Sequence, residues 1–218
     1  MTVPPLDAVL FDFDGTIVDT TELIHQSMRR ATSEVLGRQL DRETLMANVG
    51  QPLPRQMELL DAERAGELLQ SYRHHNEGLH EAWIREFPSV NASLARLRAA
   101  GLALGVVTSK RRLSVEMALD SFPGLKNAVN VFVTMEDTTE HKPLPAPLLK
   151  GLELLGGISP ERAAYVGDAP FDITAARSAG VMSIAVSWGA FPEAALRAAG
   201  PDYLFNDLDS VVDLLLSS

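Results

Sequence analysis

The sequence predicts an α/β fold in which a doubly wound parallel sheet is interrupted by an inserted helical domain. Short apolar stretches recur along the chain, and each ends in polar residues or in Gly and Pro, as buried strands do. Amphipathic helical patterns separate these stretches, and alternation of strand and helix is typical of a parallel sheet. Residues 19–85 break the alternation, because they show helical spacings without a convincing strand.

The composition is that of a globular enzyme. The chain has 218 residues, of which 46% are hydrophobic and 22% charged, so it can bury a full core and add a second domain. Cysteine is absent, which excludes disulfides and thiolate chemistry and leaves oxygen and imidazole groups as metal ligands. The formal net charge of -10 argues against binding to nucleic acid, which requires basic patches.

The sequence shows no signal for a membrane or an export pathway. Residues 1–5 lack the basic and apolar regions of a signal peptide, and no apolar run approaches the length of a membrane span. We therefore expect a soluble, cytoplasmic protein that does not bind membranes.

The sheet domain is predicted from residues 1–18 and 86–218, and the inserted domain from residues 19–85. The predicted strands are 6–12, 102–108, 129–134, 163–167 and 182–186. The predicted crossover helices are 90–100, 113–119, 145–155 and 173–179, followed by a final amphipathic helix at 208–215. In such sheets the active groups lie beyond the carboxyl ends of the strands.

The first predicted strand ends in two acidic residues. Alternate residues of an extended chain project to the same side, so Asp12 and Asp14 reach one space while Phe13 turns into the core. Paired carboxylates suit phosphoryl transfer, since one attacks phosphorus while the other moves protons. The alternative interpretation is a strand that ends in a simple Asp-Gly turn.

Thr108, Ser109 and Lys110 close the second predicted strand. Their hydroxyls and the backbone amides that follow suit the binding of phosphate oxygens. The alternative is that Thr108 or Ser109 caps a helix that begins near Arg111.

One cation and two further acids follow in the second half of the chain. Lys142 precedes a predicted helix and suits the neutralisation of charge on a phosphoryl group, although a solvated surface lysine is the alternative. Asp168 and Asp172 follow the fourth strand and offer oxygen ligands for Mg²⁺. Alternatively, Asp172 caps a helix and Asp168 closes a turn. Together the motifs supply a nucleophile, an acid/base, a hydroxyl, a cation and metal ligands, an inventory that independent caps would not make.

These residues resemble the four signature motifs of the haloacid dehalogenase superfamily, and the resemblance covers essentially the whole chain. The matching motifs are Asp12-Phe-Asp-Gly-Thr16, Thr108 after a strand, Lys142-Pro143, and Gly167-Asp168 with Asp172. The resemblance implies a Rossmann-like core with a helical cap inserted after the first motif. Because true dehalogenases replace the second acid, the presence of Asp14 points to phosphate chemistry.

The resemblance also implies a role for each residue. Asp12 is the expected nucleophile and a metal ligand, and Asp14 is the expected acid/base, which also offers its carbonyl to the metal. Thr108 and Lys142 are expected to grip phosphate. Asp168 resembles the third ligand of the Mg²⁺ ion, with Asp172 in support.

Within the superfamily the chain is similar to the phosphoglycolate phosphatase group and, more closely, to the bacterial pyrophosphatase branch. The matching stretches are 20–24, 71–76, 115–117, 141–143 and 186–188. We therefore expect a phosphohydrolase for a small phosphate monoester or inorganic pyrophosphate. One alternative is a sugar-phosphate mutase, although His25 falls one residue late for the cap histidine of such mutases. The other is a non-catalytic binding module, against which the intact set of charged residues argues.

The inserted domain offers groups for a second anionic part of the substrate. These cap residues are Arg55, Arg73, His74, His75 and Asn76. Their alternative is a solvated helix face, especially for His74 and His75, since adjacent helix positions do not face the same way. Arg55 follows a loop, residues 50–54, that is expected to dip toward the core. We therefore place Arg55 with Ser109 and Lys110 as candidate substrate-binding residues; the expected partner is a small phosphorylated molecule, and no pattern indicates an oligomeric state.

Overall fold

The computed structural model describes residues 5–217 of the chain. Residues 1–4, on which most of our expectation about a signal peptide depends, lie outside the described part. None of the helices within residues 5–217 combines the length and the apolar character that crossing a membrane requires.

The described residues form eight strands, six of which make one parallel sheet. The strands are β1 (Ala8–Phe11), β2 (Val18–Asp19), β3 (Arg85–Glu86), β4 (Ala103–Val107), β5 (Val131–Val133), β6 (Ala163–Gly167), β7 (Met182–Val186) and β8 (Tyr203–Phe205). The order of the sheet is β5-β4-β1-β6-β7-β8, so β1 lies between β4 and β6. The predicted doubly wound α/β fold is confirmed.

Eleven α-helices and two short 3₁₀ helices, Met135–Asp137 and Pro160–Arg162, accompany the strands in the described part. The α-helices are α1 (Thr21–Leu36), α2 (Arg42–Met46), α3 (Leu53–Leu60), α4 (Ala65–Trp83), α5 (Val90–Ala99), α6 (Arg112–Ser121), α7 (Pro123–Ala128), α8 (Ala146–Leu154), α9 (Pro170–Ala179), α10 (Glu193–Ala199) and α11 (Leu208–Leu216). The predicted helices correspond to α5, α6, α8, α9 and α11.

The sheet is buried on both faces, which explains the continuous apolar runs in its sequence. Side chains alternate along β1, so Val9 and Phe11 join one cluster with α5 and α11, whereas Leu10 joins a second cluster with α8 and α9. Each cluster is a layer of helices packed against the sheet, and both contribute to a rigid platform for the strand ends.

Helices α1–α4 bury an apolar cluster of their own. Ile24 and Met28 of α1 join Met57 of α3 and Leu68 of α4 in it. The two short strands β2 and β3 pair antiparallel where the chain enters and leaves this helical segment, with Val18 opposite Glu86. Both connections to the sheet therefore run through one two-stranded ribbon.

Sequence patterns missed β2, β3, β8, α7 and α10. The missed strands have two or three residues each, too few to display the alternation that identifies a strand. β8 is the edge strand of the large sheet and is only half-buried, so its residues do not form a long apolar run. The missed helices have six and seven residues, fewer than two full turns of helix.

Candidate active site

The carboxyl ends of β1, β4 and β6 bring three of the predicted motifs together. Phe11 pairs in register with Val106 on one side and with Val166 on the other. Asp12 follows β1 at that level, and Thr108 and Asp168 follow the two neighbouring strands. Because parallel strands run toward the same edge, the three side chains meet where α/β sheets commonly bind ligands.

Asp12 is buried at this edge, with 3% of its surface exposed. Its backbone amide donates to the Val166 carbonyl at 2.8 Å, which fixes its position beside β6. Its Oδ1 lies 2.9 Å from Lys142 Nζ, an ion pair whose angles do not make a hydrogen bond. Burial raises the pKa of Asp12 to about 7 in spite of Lys142, and Asp172 adds to the rise. A cation bound beside this carboxylate would favour its charged form.

Asp14, two residues after Asp12, accepts hydrogen bonds from two side chains. Its Oδ1 accepts from Thr20 Oγ1 at 2.7 Å and from Lys110 Nζ at 2.8 Å, and its Oδ2 lies 3.0 Å from the same ammonium. Gly15 follows with a φ of 73°. A Cβ at Gly15 would collide with the Asp168 carboxylate, so only glycine permits this turn and this close approach.

The hydroxyl motif does not cap a helix. α6 begins at Arg112, and the Arg112 amide donates to Glu136 Oε2 at 2.9 Å rather than to Thr108 or Ser109. Thr108 Oγ1 instead accepts the backbone amide of Lys110 at 3.2 Å. Ser109 Oγ donates to the carbonyl of Gly50, in the inserted segment, at 2.8 Å. Thr108 therefore stabilises the chain at the end of β4, and Ser109 connects the sheet to the helical segment.

Lys142 is a buried cation rather than a surface lysine, with 2% of its surface exposed. Its Nζ donates to Asp172 Oδ1 at 2.7 Å and to Tyr165 Oη at 2.9 Å, beside Asp12. Burial alone would lower the pKa of Lys142, but the two carboxylates raise it on balance, so the ammonium stays charged. Tyr165 Oη in turn donates to the Val107 carbonyl at 2.9 Å, which ties the lysine to the end of β4.

Asp168 is fixed by two loops from distant parts of the chain. Its Oδ2 accepts from the Ala190 amide at 2.7 Å, and its Oδ1 accepts from Thr16 Oγ1 at 3.3 Å. A Cβ at Gly189 would collide with this carboxylate, so the second loop also requires a glycine. Burial, with Asp172 nearby, raises the pKa of Asp168 well above its usual range.

Asp172 is fully buried and has two tasks. Its Oδ2 accepts from the Ala169 amide at 3.0 Å, so it serves the start of α9 as the capping interpretation expected. Its Oδ1 accepts from Lys142, so the same residue also anchors the buried cation.

The acidic residues fit a divalent metal ion. Asp12, Asp168 and Asp172 each bring a carboxylate oxygen within 4.8 Å of the others. Three buried carboxylates face one buried ammonium, that of Lys142, so the cluster lacks positive charge. Hard cations such as Mg²⁺ take one or two carboxylates and offset such charge. The Asp14 carboxylate is not part of this cluster. The family resemblance assigns the backbone carbonyl of Asp14, rather than its side chain, to the metal.

A cavity lies between the strand ends and the helical segment. The centres of water molecules can occupy about 70 Å³ of this cavity. The sheet side contributes Asp12, Asp14, Thr108, Ser109, Lys110 and Asp168, and the helical segment contributes Gln51, Gln56, Tyr72, Arg73 and Asn76.

The structure separates the predicted residues of the inserted segment. Arg73 and Asn76 line the cavity, but Arg55 is exposed on α3 and pairs with Glu58 at 3.0 Å. His75 lies 2.9 Å from Glu34 on an exposed face. The loop before Arg55 reaches the cavity as expected, but the arginine itself faces away from it.

Sequence reasoning missed Tyr165, Thr20 and Gln56. The signal for Tyr165 was a phenol in an otherwise apolar buried strand, since a buried tyrosine hydroxyl normally has a partner. Thr20 lies directly before α1, where its sequence position predicts an ordinary helix cap. Its hydroxyl instead donates to Asp14. Gln56 carries no sequence signal that distinguishes it from a surface glutamine.

Comparisons with known proteins agree with this geometry. The family model described as haloacid dehalogenase-like hydrolase matches residues 9–186. A Caldanaerobacter subterraneus subsp. tengcongensis protein assigned as a pyrophosphatase PpaX is 40% identical over 211 residues, covering 96% of this chain and 94% of its own length. The pyrophosphatase PpaX of Bacillus mycoides is 36% identical over 210 residues, covering 96% of this chain and 95% of its own.

Solved structures share the fold over most of the chain. A haloacid dehalogenase-like family hydrolase from Streptococcus pneumoniae superposes with a TM-score of 0.82 at 25% identity, covering 95% of this chain and 97% of its own. A Lactobacillus plantarum protein assigned as a phosphoglycolate phosphatase superposes with a TM-score of 0.85 at 24% identity, covering 97% and 100%.

Proposed function

The chain belongs to the haloacid dehalogenase-like hydrolase family, and we propose that within it the protein is a magnesium-dependent phosphohydrolase acting through a phosphorylated Asp12. The proposed substrate is inorganic pyrophosphate or a small phosphate monoester such as phosphoglycolate. Because its relatives are pyrophosphatases of this family, the chain is a phosphatase of the same family type. The observation that carries the mechanism is the buried Asp12 carboxylate at the cavity, 2.9 Å from the Lys142 ammonium.

The first step of the proposed mechanism transfers the phosphoryl group to the protein. An Asp12 oxygen attacks phosphorus, the bond from phosphorus to the leaving oxygen breaks, and that oxygen takes the bonding electron pair and a proton from Asp14. Lys142 and the Thr108 hydroxyl hold the phosphoryl oxygens. In this structure Asp14 is bound to Lys110 and Thr20, so the proton transfer requires Asp14 to leave these partners.

The second step releases phosphate. Asp14 takes a proton from water as the water oxygen attacks phosphorus, and the acyl phosphate bond to Asp12 breaks, which restores the carboxylate. Asp12 and Asp168 would hold the Mg²⁺ ion, with Asp172 in support, because Asp172 already carries a direct ion pair with the Lys142 ammonium. When bound, the ion supplies positive charge that lets an anionic substrate approach three buried acids.

The helical segment is proposed to act as a cap domain, residues 19–85, over a core domain, residues 1–18 and 86–218. Its own apolar cluster and its two-stranded connection support this division. It touches the core through Ser109 with Gly50 and through an ion pair between Arg111 and Glu77. These contacts lie beside the cavity, where closure would exclude water from the reaction.

Incubation of the purified protein with Mg²⁺ and a panel of phosphates tests the function. The panel contains pyrophosphate, 2-phosphoglycolate, sugar phosphates and nucleotides, and the readouts are phosphate release and product identity. We expect phosphate from pyrophosphate or a small monoester. Isomerisation of a sugar phosphate without phosphate release would support a mutase instead, and no reaction at all would support a binding module.

Metal binding is expected to raise the melting temperature. A ligand that binds only the folded state stabilises it, so Mg²⁺ at one hundred times its dissociation constant should stabilise the fold by about 2.7 kcal/mol, or roughly 5–10 °C. Thermal melting with and without Mg²⁺ measures this, and Asp168→Asn should abolish most of the rise. Asp213→Asn, on the exposed face of α11, is the matched control. Equal rises in the Asp168 variant and the control would exclude Asp168 as a ligand.

Tyr165→Phe is expected to lower kcat by roughly 3- to 10-fold with little change in KM, the cost of one hydrogen bond. The ring keeps its packing, but the Lys142 ammonium loses an oriented acceptor and the Val107 carbonyl loses its donor. Steady-state kinetics on the best substrate measures the effect, with Tyr203→Phe on the edge strand as the control. A higher KM at unchanged kcat would contradict a positioning role.

A further inference from the structure

Unpaired polar atoms converge on the cavity. Among the described residues, five buried side-chain atoms have no hydrogen-bond partner: Asp12 Oδ1, Gln56 Oε1, Arg73 Nε, His80 Nε2 and Ser93 Oγ. The first three belong to residues that line the cavity. Buried polar groups are normally paired, so unpaired ones around a cavity indicate where a ligand supplies the missing partners. Asp12 is accounted for by the proposed mechanism, but Gln56 and Arg73 are not.

Arg73 supplies a positive charge that the protein itself does not neutralise. Three cations line the cavity, and two are engaged: Lys110 with Asp14 at 2.8 Å, and Arg111 with Glu77. Within residues 5–217, Arg73 forms no ion pair, and its Nε is buried without an acceptor. A guanidinium in this state is suited to an oxyanion on the ligand, since hydrogen bonds between charged groups are the strong ones.

Gln56 supplies an acceptor whose orientation is fixed. Its Nε2 donates to the Gln51 carbonyl at 2.7 Å, so the other end of the amide, Oε1, must be the acceptor. This oxygen is buried without a donor, and the residue is 7% exposed. The ligand therefore has to bring a hydrogen to Gln56 as well as a negative charge to Arg73.

We propose that Arg73 and Gln56 form a leaving-group subsite for a protonated phosphate, so that the substrate class is an inorganic diphosphate rather than a carboxylate-bearing monoester. This inference rests on the proposed function of the same site. A hydrogen phosphate group has both an anionic oxygen for Arg73 and a P–OH for Gln56. The ionised carboxylate of phosphoglycolate satisfies Arg73 but has no hydrogen to donate, so Gln56 would stay unpaired at a cost.

The cavity has room for a ligand larger than one water molecule. Water centres can occupy about 70 Å³ of it, whereas a single water needs roughly 10–15 Å³. In the transfer step the bond between phosphorus and the bridging oxygen breaks, and the departing phosphate keeps the electron pair and takes the proton from Asp14. Arg73 then balances the charge on that departing phosphate.

Arg73→Gln tests the charged half of the subsite. We expect kcat/KM for pyrophosphate to fall roughly 10- to 100-fold, the effect of losing a charge-assisted hydrogen bond. Arg30→Gln, an exposed arginine on α1, is the matched control and should leave kcat/KM unchanged. The Mg²⁺-dependent rise in melting temperature should persist in both variants, which shows that the fold and the core side of the site are intact. A pyrophosphate kcat/KM unchanged in Arg73→Gln would overturn the proposal.

Gln56→Met tests the hydrogen-bond acceptor of the subsite. The readout is the ratio of kcat/KM for pyrophosphate to kcat/KM for 2-phosphoglycolate, which a loss of folded protein does not change. Wild-type protein should prefer pyrophosphate to 2-phosphoglycolate in kcat/KM, and the variant should lower that preference roughly 10-fold. A wild-type preference for 2-phosphoglycolate, or an equal loss on both substrates in Gln56→Met, would overturn the proposal. These results differ from a failure of the proposed function, in which wild-type protein would release phosphate from neither substrate.

Discussion

Asp12→Asn is expected to abolish phosphate release from every substrate, with kcat lower by roughly 10⁴-fold or more. The amide keeps the size of the carboxylate but has no anionic oxygen to attack phosphorus, so the covalent intermediate does not form. Phosphate release under saturating substrate and Mg²⁺ measures the loss. Trapping of a phosphorylated protein after rapid acid quench should succeed with the wild-type protein and fail with the variant.

The stability of the same variant gives an independent check. Burial raises the pKa of Asp12 to about 7, so its ionised form destabilises the folded state, and this penalty is fully present above pH 7 and disappears as the pH falls. At pH 8 without metal, Asp12→Asn should therefore melt at a higher temperature than wild-type protein. Asp213→Asn, on the surface, should change neither activity nor melting. Retained activity in Asp12→Asn would refute the role of nucleophile.

Lys142→Met is expected to lower the stability of the metal-free protein by about 3–5 kcal/mol, as breaking a buried ion pair does. The Lys142 ammonium lies 2.9 Å from the Asp12 carboxylate and 2.7 Å from the Asp172 carboxylate. Its loss leaves both carboxylates buried without this positive charge beside them. Catalysis should fall roughly 10²- to 10³-fold as well, because a preorganised charge at the phosphoryl group is lost. Denaturant unfolding and steady-state kinetics measure the two effects.

A double variant separates these two effects of Lys142. Lys142→Met with Asp172→Asn removes a cation and a neighbouring anion together, so much of the lost stability should return while activity stays low. Lys150→Met, whose ammonium pairs with Glu153 on the exposed side of α8, is the matched control and should behave as wild type. If the single Lys142 variant were as stable as the control, the buried ion pair would not hold the site together.

The core side of the site was predictable because parallel strands end at a common edge. Once the apolar runs before Asp12, Thr108 and Asp168 are identified as neighbouring strands, the convergence of those side chains follows from topology alone. The acid that pairs with the buried Lys142 was also among the predicted residues, because Asp172 lies in the first turn of the helix that follows β6. The roles of these residues stay predictions until the variants are measured.

The cap side was not predictable because it depends on how helices are rotated. Arg55 and Arg73 are equivalent by composition, and a loop next to Arg55 does reach the cavity through Gly50. The rotation of α3 nevertheless turns Arg55 to solvent, whereas the rotation of α4 turns Arg73 inward. Helix rotation is set by the packing of side chains on neighbouring helices, which a single sequence pattern does not specify.

The sheet order has a consequence for the timing of activity during synthesis. The strand that carries Asp12 is made first but lies between β4 and β6, and the hydrogen bond from Thr16 to Asp168 spans 152 residues. A ribosome-bound chain that has not yet exposed Asp168 therefore holds the proposed nucleophile, Asp12, without the proposed metal ligand, Asp168. Phosphate-cleaving capacity should therefore arise late in translation, and incomplete chains released by premature termination before Asp168 should be inert toward the cell's phosphate compounds.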